Sequence, residues 1–188
     1  MKKALIFIDY INDIVHPKGK TPGCAKMFAE NDVLNKANSI LKHARKNDWL
    51  IVWVKVCFSE NYVEVGPYSP VFNGAKKFKA YQKDSWGAEL IEGLDYQEGD
   101  CVVLKNRINA FYNTNLDLLL RANQVEELYI GGVSTEMAIQ ATSRDAHDRD
   151  YKVNIVSDLC ANATIELHDA SLAMLGRIAT IANSADLN

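Results

Sequence analysis

The chain has 188 residues, 48% of them hydrophobic and 24% charged, with a formal net charge of −3. That balance fits one soluble globular domain over 1–188, and no basic block argues for nucleic acid, since "KKFK" at Lys76 to Lys79 reads as a solvated face. No apolar run approaches the roughly 20 residues that span a bilayer, so no membrane is expected.

The opening "MKKALIFIDYINDIV" is interrupted by Asp9, Asn12 and Asp13 and reads as a buried first strand rather than a signal peptide. "ALIFID" (Ala4 to Asp9), "WLIVWVKV" (Trp49 to Val56), "CVVLK" (Cys101 to Lys105), "ELYIGGV" (Glu127 to Val133), "KVNIVSD" (Lys152 to Asp158) and "RIATIA" (Arg177 to Ala182) are short runs apolar on both faces. Such runs suit strands of a parallel sheet covered on each side. Between them lie helical patterns. "DVLNKANSILKHARKND" puts Val33, Leu34, Ala37, Ile40, Leu41 and Ala44 on one stripe, with Asp32 as N-cap. A short helix begins at about Asn115. A longer one follows Thr135, with Met137, Ile139, Ala141 and Ala146 as core candidates, and "IELHDASLAMLGR" is another. The alternation predicts an α/β fold: a doubly wound, mostly parallel six-stranded sheet with helices on both faces, Rossmann-like in layout. Ser59 to Ser85 is the least regular part, an aromatic-rich insertion that reads as a lid, a binding loop or an oligomer contact.

Cys24, Cys57, Cys101 and Cys160 are scattered, without a C-x-x-C pair or histidines at ligand spacing. Reduced thiols in a cytoplasmic protein and no zinc site are the expectation. His43, His147 and His168 sit within helical patterns and are expected to face solvent; His16 follows the first strand.

Ligands of an open α/β sheet sit outside the carboxyl ends of its strands. Asp9, Lys105, the turn Gly131 to Glu136 and Asp158 fall there. Asp9 and Lys105 at two strand tips could pair, with the lysine tuning the carboxylate as a base. Residue types alone also allow Asp9 as a turn cap and Lys105 as a structural partner. The glycine turn has the form that presents a nucleophile, yet it offers only the hydroxyls of Ser134 and Thr135.

Three stretches carry a resemblance. "IDYINDIV" resembles I-D-x-Q-N-D-F, with Ile11 and Ile14 departing from it. "WGAELIEGLDYQEGDCVVLKNRINAFYNTNLDLLL" resembles G-T/A-x-L, a lysine, then S-A-F-x-x-T-x-L. "GGVSTEMAIQATSRDAHDRDYKVNIVSD" resembles G-V-x-T-D-x-C-V-x-x-T-A-x-D-A-x-D-x-G-Y. Together, in this order, they make the chain similar to the isochorismatase-like hydrolases over nearly its whole length, and to their cysteine-dependent branch of small amide hydrolases. The resemblance implies Asp9 as general base, Lys105 as the cation beside it, and a nucleophilic cysteine at the position held here by Ala138. It also implies a cis peptide between Val133 and Ser134, with an oxyanion hole from the amides of Ser134 and Ala138.

The implied activity is covalent hydrolysis of a C–N bond, amide or ureide, in a small molecule. A homo-oligomer is expected from the same resemblance. The alanine has three explanations: a Cys→Ala change, cysteine-independent vinyl-ether hydrolysis by Asp9 as in true isochorismatases, or a catalytically silent binding or scaffold member. Phe111, Tyr112, Trp53, Tyr62 and Trp86 are candidate substrate walls. "KVCFSENYVEVG" lacks the histidines of a nicotinamidase metal site, so neither a catalytic metal nor any other cofactor is expected.

Overall fold

The computed structural model describes residues 1–187. Six strands form one sheet: β1 (Lys2–Ile8), β2 (Leu50–Val56), β3 (Cys101–Lys105), β4 (Val125–Val133), β5 (Lys152–Ala161) and β6 (Thr180–Ala182). Every neighbouring pair is parallel and the order is β3-β2-β1-β4-β5-β6. The helices are α1 (Asn12–Val15), α2 (Ala25–Glu30), α3 (Val33–Lys46), α4 (Pro70–Phe78), α5 (Leu116–Ala122), α6 (Gln140–Asp148) and α7 (Ile165–Leu175).

Successive strand residues alternate between two buried layers, which is why the strands read as unbroken apolar runs. Ala4, Ile6 and Ile8 of β1 pack with Leu116, Leu120 and Ile139. Leu5 and Phe7 pack on the other face with Val33, Ala37, Ile40 and Leu41 of α3. A third cluster, with Phe58, Tyr62, Phe72 and Tyr81, lies under the 59–85 segment.

The strand order turns round at β1. β2 and β3 add on one side of it and β4, β5 and β6 on the other. Crossovers leaving β1 and β4 therefore diverge and open a crevice at their carboxyl ends, the switch point where such sheets bind ligands.

Four local expectations differ from the fold. Asp32 precedes α3 but has a φ of 54° and makes no cap hydrogen bond; its carboxylate instead accepts from Asn35 at 2.7 Å. The 59–85 insertion contains α4, started by Pro70 in its first turn and by Ser69, whose hydroxyl accepts from the Phe72 amide. The run from Arg177 forms a strand only over Thr180–Ala182. β5 continues past Asp158 to Ala161, because its register slips against β4 between Ile130 and Gly132. That slip takes Asp158 out of the crevice, and its carboxylate accepts from the Ser184 amide at 2.8 Å and hydroxyl at 2.6 Å.

Candidate active site

Asp9 follows the last residue of β1 and adopts a φ of 60°. Aspartate tolerates this left-handed conformation better than most side chains. Its amide donates to the Val54 carbonyl at 2.8 Å, and its Oδ1 accepts from the Val56 amide at 2.6 Å. Its Oδ2 lies 2.7 Å from Nζ of Lys105, the last residue of β3, and both side chains are almost wholly buried. Lys105 also donates to the Arg107 carbonyl at 3.1 Å. Burial pushes the Asp9 carboxyl above its ordinary pKa; the Lys105 charge and the hydrogen bonds from Lys105 and Val56 oppose this but are smaller.

The tip of β4 supplies the other wall. Gly132 has a φ of 152°, and a Cβ there would stand 2.5 Å from the Ile8 carbonyl oxygen. Only glycine lets β4 lie this close to β1. The Val133–Ser134 peptide is cis. A π-helical turn, Thr135–Ile139, then leads into α6, with the Met137 and Ile139 amides both donating to the Ser134 carbonyl at 3.3 Å. Ala138 sits in this turn and is buried.

Thr135 fixes the turn from behind. Its hydroxyl donates to the Ala161 carbonyl at 3.1 Å and stands 2.9 Å from Nδ1 of His168. A hydroxyl has one proton, so His168 must donate to it through Nδ1. His168 is therefore buried structure rather than a solvent-facing residue, because α7 turns it inward. Burial also holds its pKa below the ordinary histidine value.

Asp9, Lys105, Val133, Ser134 and Ala138 all line one cavity of about 230 Å³. Val71, Phe72 and Tyr81 from the 59–85 segment form part of its apolar wall, with Ile14, Ile108 and Met137. Thr21, Cys24, Glu136 and Asn162 complete much of the remainder.

None of the five aromatic residues proposed as substrate walls lines this cavity. Trp53 points to the α3 side of β2, stacked on Phe7 at 4.8 Å, with its indole N–H on Asp100 at 3.0 Å. Phe111 is core, stacked at 6.0 Å on Tyr151. Tyr112 is exposed, beside a separate hollow with Glu64, Asn106 and Arg107. Tyr62 is buried in the third cluster and donates to the Ala80 carbonyl at 2.7 Å. Trp86 lies outside, edge-on to His16 at 5.0 Å.

Sequence reasoning placed Glu136 in the turn at the strand tips without giving it a role, and it missed Phe72, Tyr81, Cys24 and Asn162. Glu136 alone had a signal, since it stands at the acidic position of the third motif. The others reach the cavity through tertiary packing.

Among the described residues no group of three or more His, Cys, Asp or Glu could hold a metal ion. Nor, among the described residues, is any helix long and apolar enough to cross a membrane.

Residues 3–186 match the model of the isochorismatase domain. The chain belongs to the isochorismatase domain family. It is 30% identical over 170 residues to the ureidoacrylate amidohydrolase RutB of Klebsiella pneumoniae, a match covering 84% of this chain and 72% of the relative. The crystal structure of an isochorismatase-like hydrolase from Alkaliphilus metalliredigens superposes with a TM-score of 0.83 at 26% identity, covering 99% of this chain and 97% of that one. N-carbamoylsarcosine amidase from Thermoplasma acidophilum superposes with a TM-score of 0.77 at 26% identity, covering 98% and 97%.

Proposed function

We propose that the crevice between β1 and β4 is a hydrolase site for the C–N bond of a small amide or ureide, in which the covalent step needs a cysteine at position 138. One observation carries this: the buried Asp9–Lys105 pair at 2.7 Å and Ala138 share one cavity. The similarity to a ureidoacrylate amidohydrolase and to an N-carbamoylsarcosine amidase supports a C–N substrate.

With a thiol at 138, Asp9 takes its proton and the sulfur attacks the carbonyl carbon. The backbone amides at 134 and 138 hold the oxyanion; one such donor is worth about 10²–10³ in rate. Asp9 then gives its proton to the leaving nitrogen, the C–N bond breaks, and water activated by Asp9 cleaves the thioester. Lys105 keeps Asp9 able to cycle between its two forms although its side chain is almost wholly buried. The methyl group of Ala138 can do none of this, so the chain with alanine binds substrate without turning it over.

The test is Ala138→Cys against a panel of small amides and ureides. Turnover, with a thioester seen by mass spectrometry and neither seen with alanine, is the expected result. Absence of both from the cysteine form would overturn the covalent reading.

A second reading has one observation in its favour. Burial shifts Asp9 toward its acid form, against the opposing charge of Lys105. Acid cleavage of a vinyl ether needs no thiol, and release of a ketone from a vinyl ether by the alanine form, abolished by Asp9→Asn, identifies it.

A further inference from the structure

The charges lining the cavity do not balance. Among the described residues, Asp9, Glu136 and Lys105 are the Asp, Glu, Lys and Arg side chains on its wall. Lys105 is taken by Asp9 at 2.7 Å. Glu136, half-buried in the π-helical turn two residues before Ala138, has no ion-pair partner, and its Oε2 is buried without a hydrogen bond. On the same wall, Asn162 is fully buried. Its Oδ1 accepts from the Ala163 amide at 2.8 Å, while its Nδ2 has no acceptor.

A buried carboxylate oxygen without a donor is costly, as is an orphaned buried amide. Structural carboxylates elsewhere in the chain are handled differently: Asp100 is matched by the Arg45 guanidinium, and Glu127 by Lys152 and Asn154. The burial of Cys24 on the same wall keeps that thiol protonated and uncharged, with Glu136 and Asp9 adding to the effect, so Cys24 adds no further charge. With Lys105 held by Asp9, Glu136 is the carboxylate on the wall that has no cation beside it.

We infer that Glu136 is a specificity-determining residue that selects substrates carrying a cationic, N–H-donating group, an ammonium or amidinium, on the same small molecule as the hydrolysable amide or ureide. The substrate class rests on the hydrolase reading above, whereas the charge preference of the cavity stands without it. A carboxylate-bearing ligand finds no free cation on the wall. The acrylate in the name of the Klebsiella relative is therefore not carried over to this chain.

The test is binding to the protein as it stands, with alanine at 138, so that failure of turnover and failure of charge selection remain separable. Three primary amides of matched length serve as probes: 5-aminopentanamide, hexanamide and 5-carbamoylpentanoate, a cation, a neutral molecule and an anion. Calorimetry or NMR titration is expected to give the cation the lowest Kd, about tenfold or more below hexanamide, as a charge-assisted hydrogen bond supplies, with the anion weakest.

Glu136→Gln is expected to bring the cation and the neutral amide to equal affinity, and Glu136→Lys to reverse the order in favour of the anion. Unchanged circular dichroism and melting temperature guard against misfolding. If either variant misfolds, titrating the cation against the neutral amide in increasing salt, which weakens only a charged contact, decides instead. Equal Kd values for the three probes, a preference for the anion, or no binding at millimolar concentration each overturn the inference. In the Ala138→Cys form, turnover without a charge preference leaves the hydrolase reading intact and sinks this one.

Discussion

Two carboxylate–cation pairs sit at opposite edges of the sheet, each with a closest approach of 2.7 Å, and their carboxyl groups move in opposite directions. At the amino edge, Asp100 precedes β3 and takes a bidentate grip from Arg45, at 2.7 and 2.8 Å, plus the Trp53 indole N–H and the Gln97 amide. These partners outweigh its burial and hold its pKa below the ordinary value. At the carboxyl edge, Asp9 has one lysine and one amide against complete burial, and burial wins. Planar, bidentate pairing with spare donors makes a fixed ion. A point charge at one oxygen, against strong burial, leaves a carboxyl that can still exchange its proton. The separation of the charges is the same; the number of donors and access to water set the difference.

The largest effect that tests this contrast is on rate. In the Ala138→Cys form, Asp9→Asn should lower kcat by about 10²–10⁴, the usual worth of a positioned acid–base group. Asp100→Asn should leave kcat unchanged and lower only the melting temperature. Equal rate losses in the two variants would erase the distinction between the pairs.

Stability gives the next effect. Lys105→Met strands a buried Asp9 and should cost about 3–5 kcal/mol near neutral pH. The cost should shrink in acid, where Asp9 takes a proton. Arg45→Met should cost less, about 2 kcal/mol, because its site is partly open to water.

The two carboxylates also have opposite signs of pH dependence. The folded pKa of Asp9 is raised, so its contribution is fully present below the unfolded value of about 4 and is lost as pH rises through the folded pKa. The folded pKa of Asp100 is lowered, so its contribution is present above about pH 4 and is lost as pH falls through the folded value. Urea midpoints of the parent, Asp9→Asn and Asp100→Asn between pH 3 and 8 should show difference curves that slope in opposite directions. Parallel curves would break the contrast.

How much of this was legible follows the same division. Unbroken apolar runs gave the parallel sheet and its strands, because burial on both faces leaves no alternation to misread. Strand tips gave Asp9 and Lys105, because each is a charged residue closing a buried run at the end where such sheets bind ligands. The aromatic walls were misassigned because residue type does not reveal parity. Trp53 lies one residue from Val52 and Val54, and that step of one puts it on the opposite face of the sheet. Phe72 and Tyr81 reach the cavity because the 59–85 segment packs them with Ile11 and Val56 at the strand ends, a long-range contact without a local signature. His168 looked solvent-facing because one histidine on a helix carries no hint of a threonine 33 residues away. Asp158 was misplaced by the slip in β5, which no propensity marks.

The smallest effect compares two thiols on one cavity. Burial, then the neighbouring Glu136 and Asp9, push the Cys24 thiol up to about 12, so about one molecule in 10⁴ is thiolate at pH 8. A cysteine introduced by Ala138→Cys would stand in the π-helical turn that leads into α6, where backbone amides favour an anion, on the same cavity as the Asp9–Lys105 pair. Iodoacetamide at pH 8, read by peptide mass spectrometry, should therefore label position 138 at least about 100-fold faster than Cys24. Saturating 5-aminopentanamide should slow that labelling. Faster reaction at Cys24 would mean that neither its burial nor the carboxylates on the cavity wall suppress its thiolate. The unbalanced negative charge assigned to Glu136 would lose its chemical signature, and Cys24 would replace position 138 as the thiol to test for covalent chemistry.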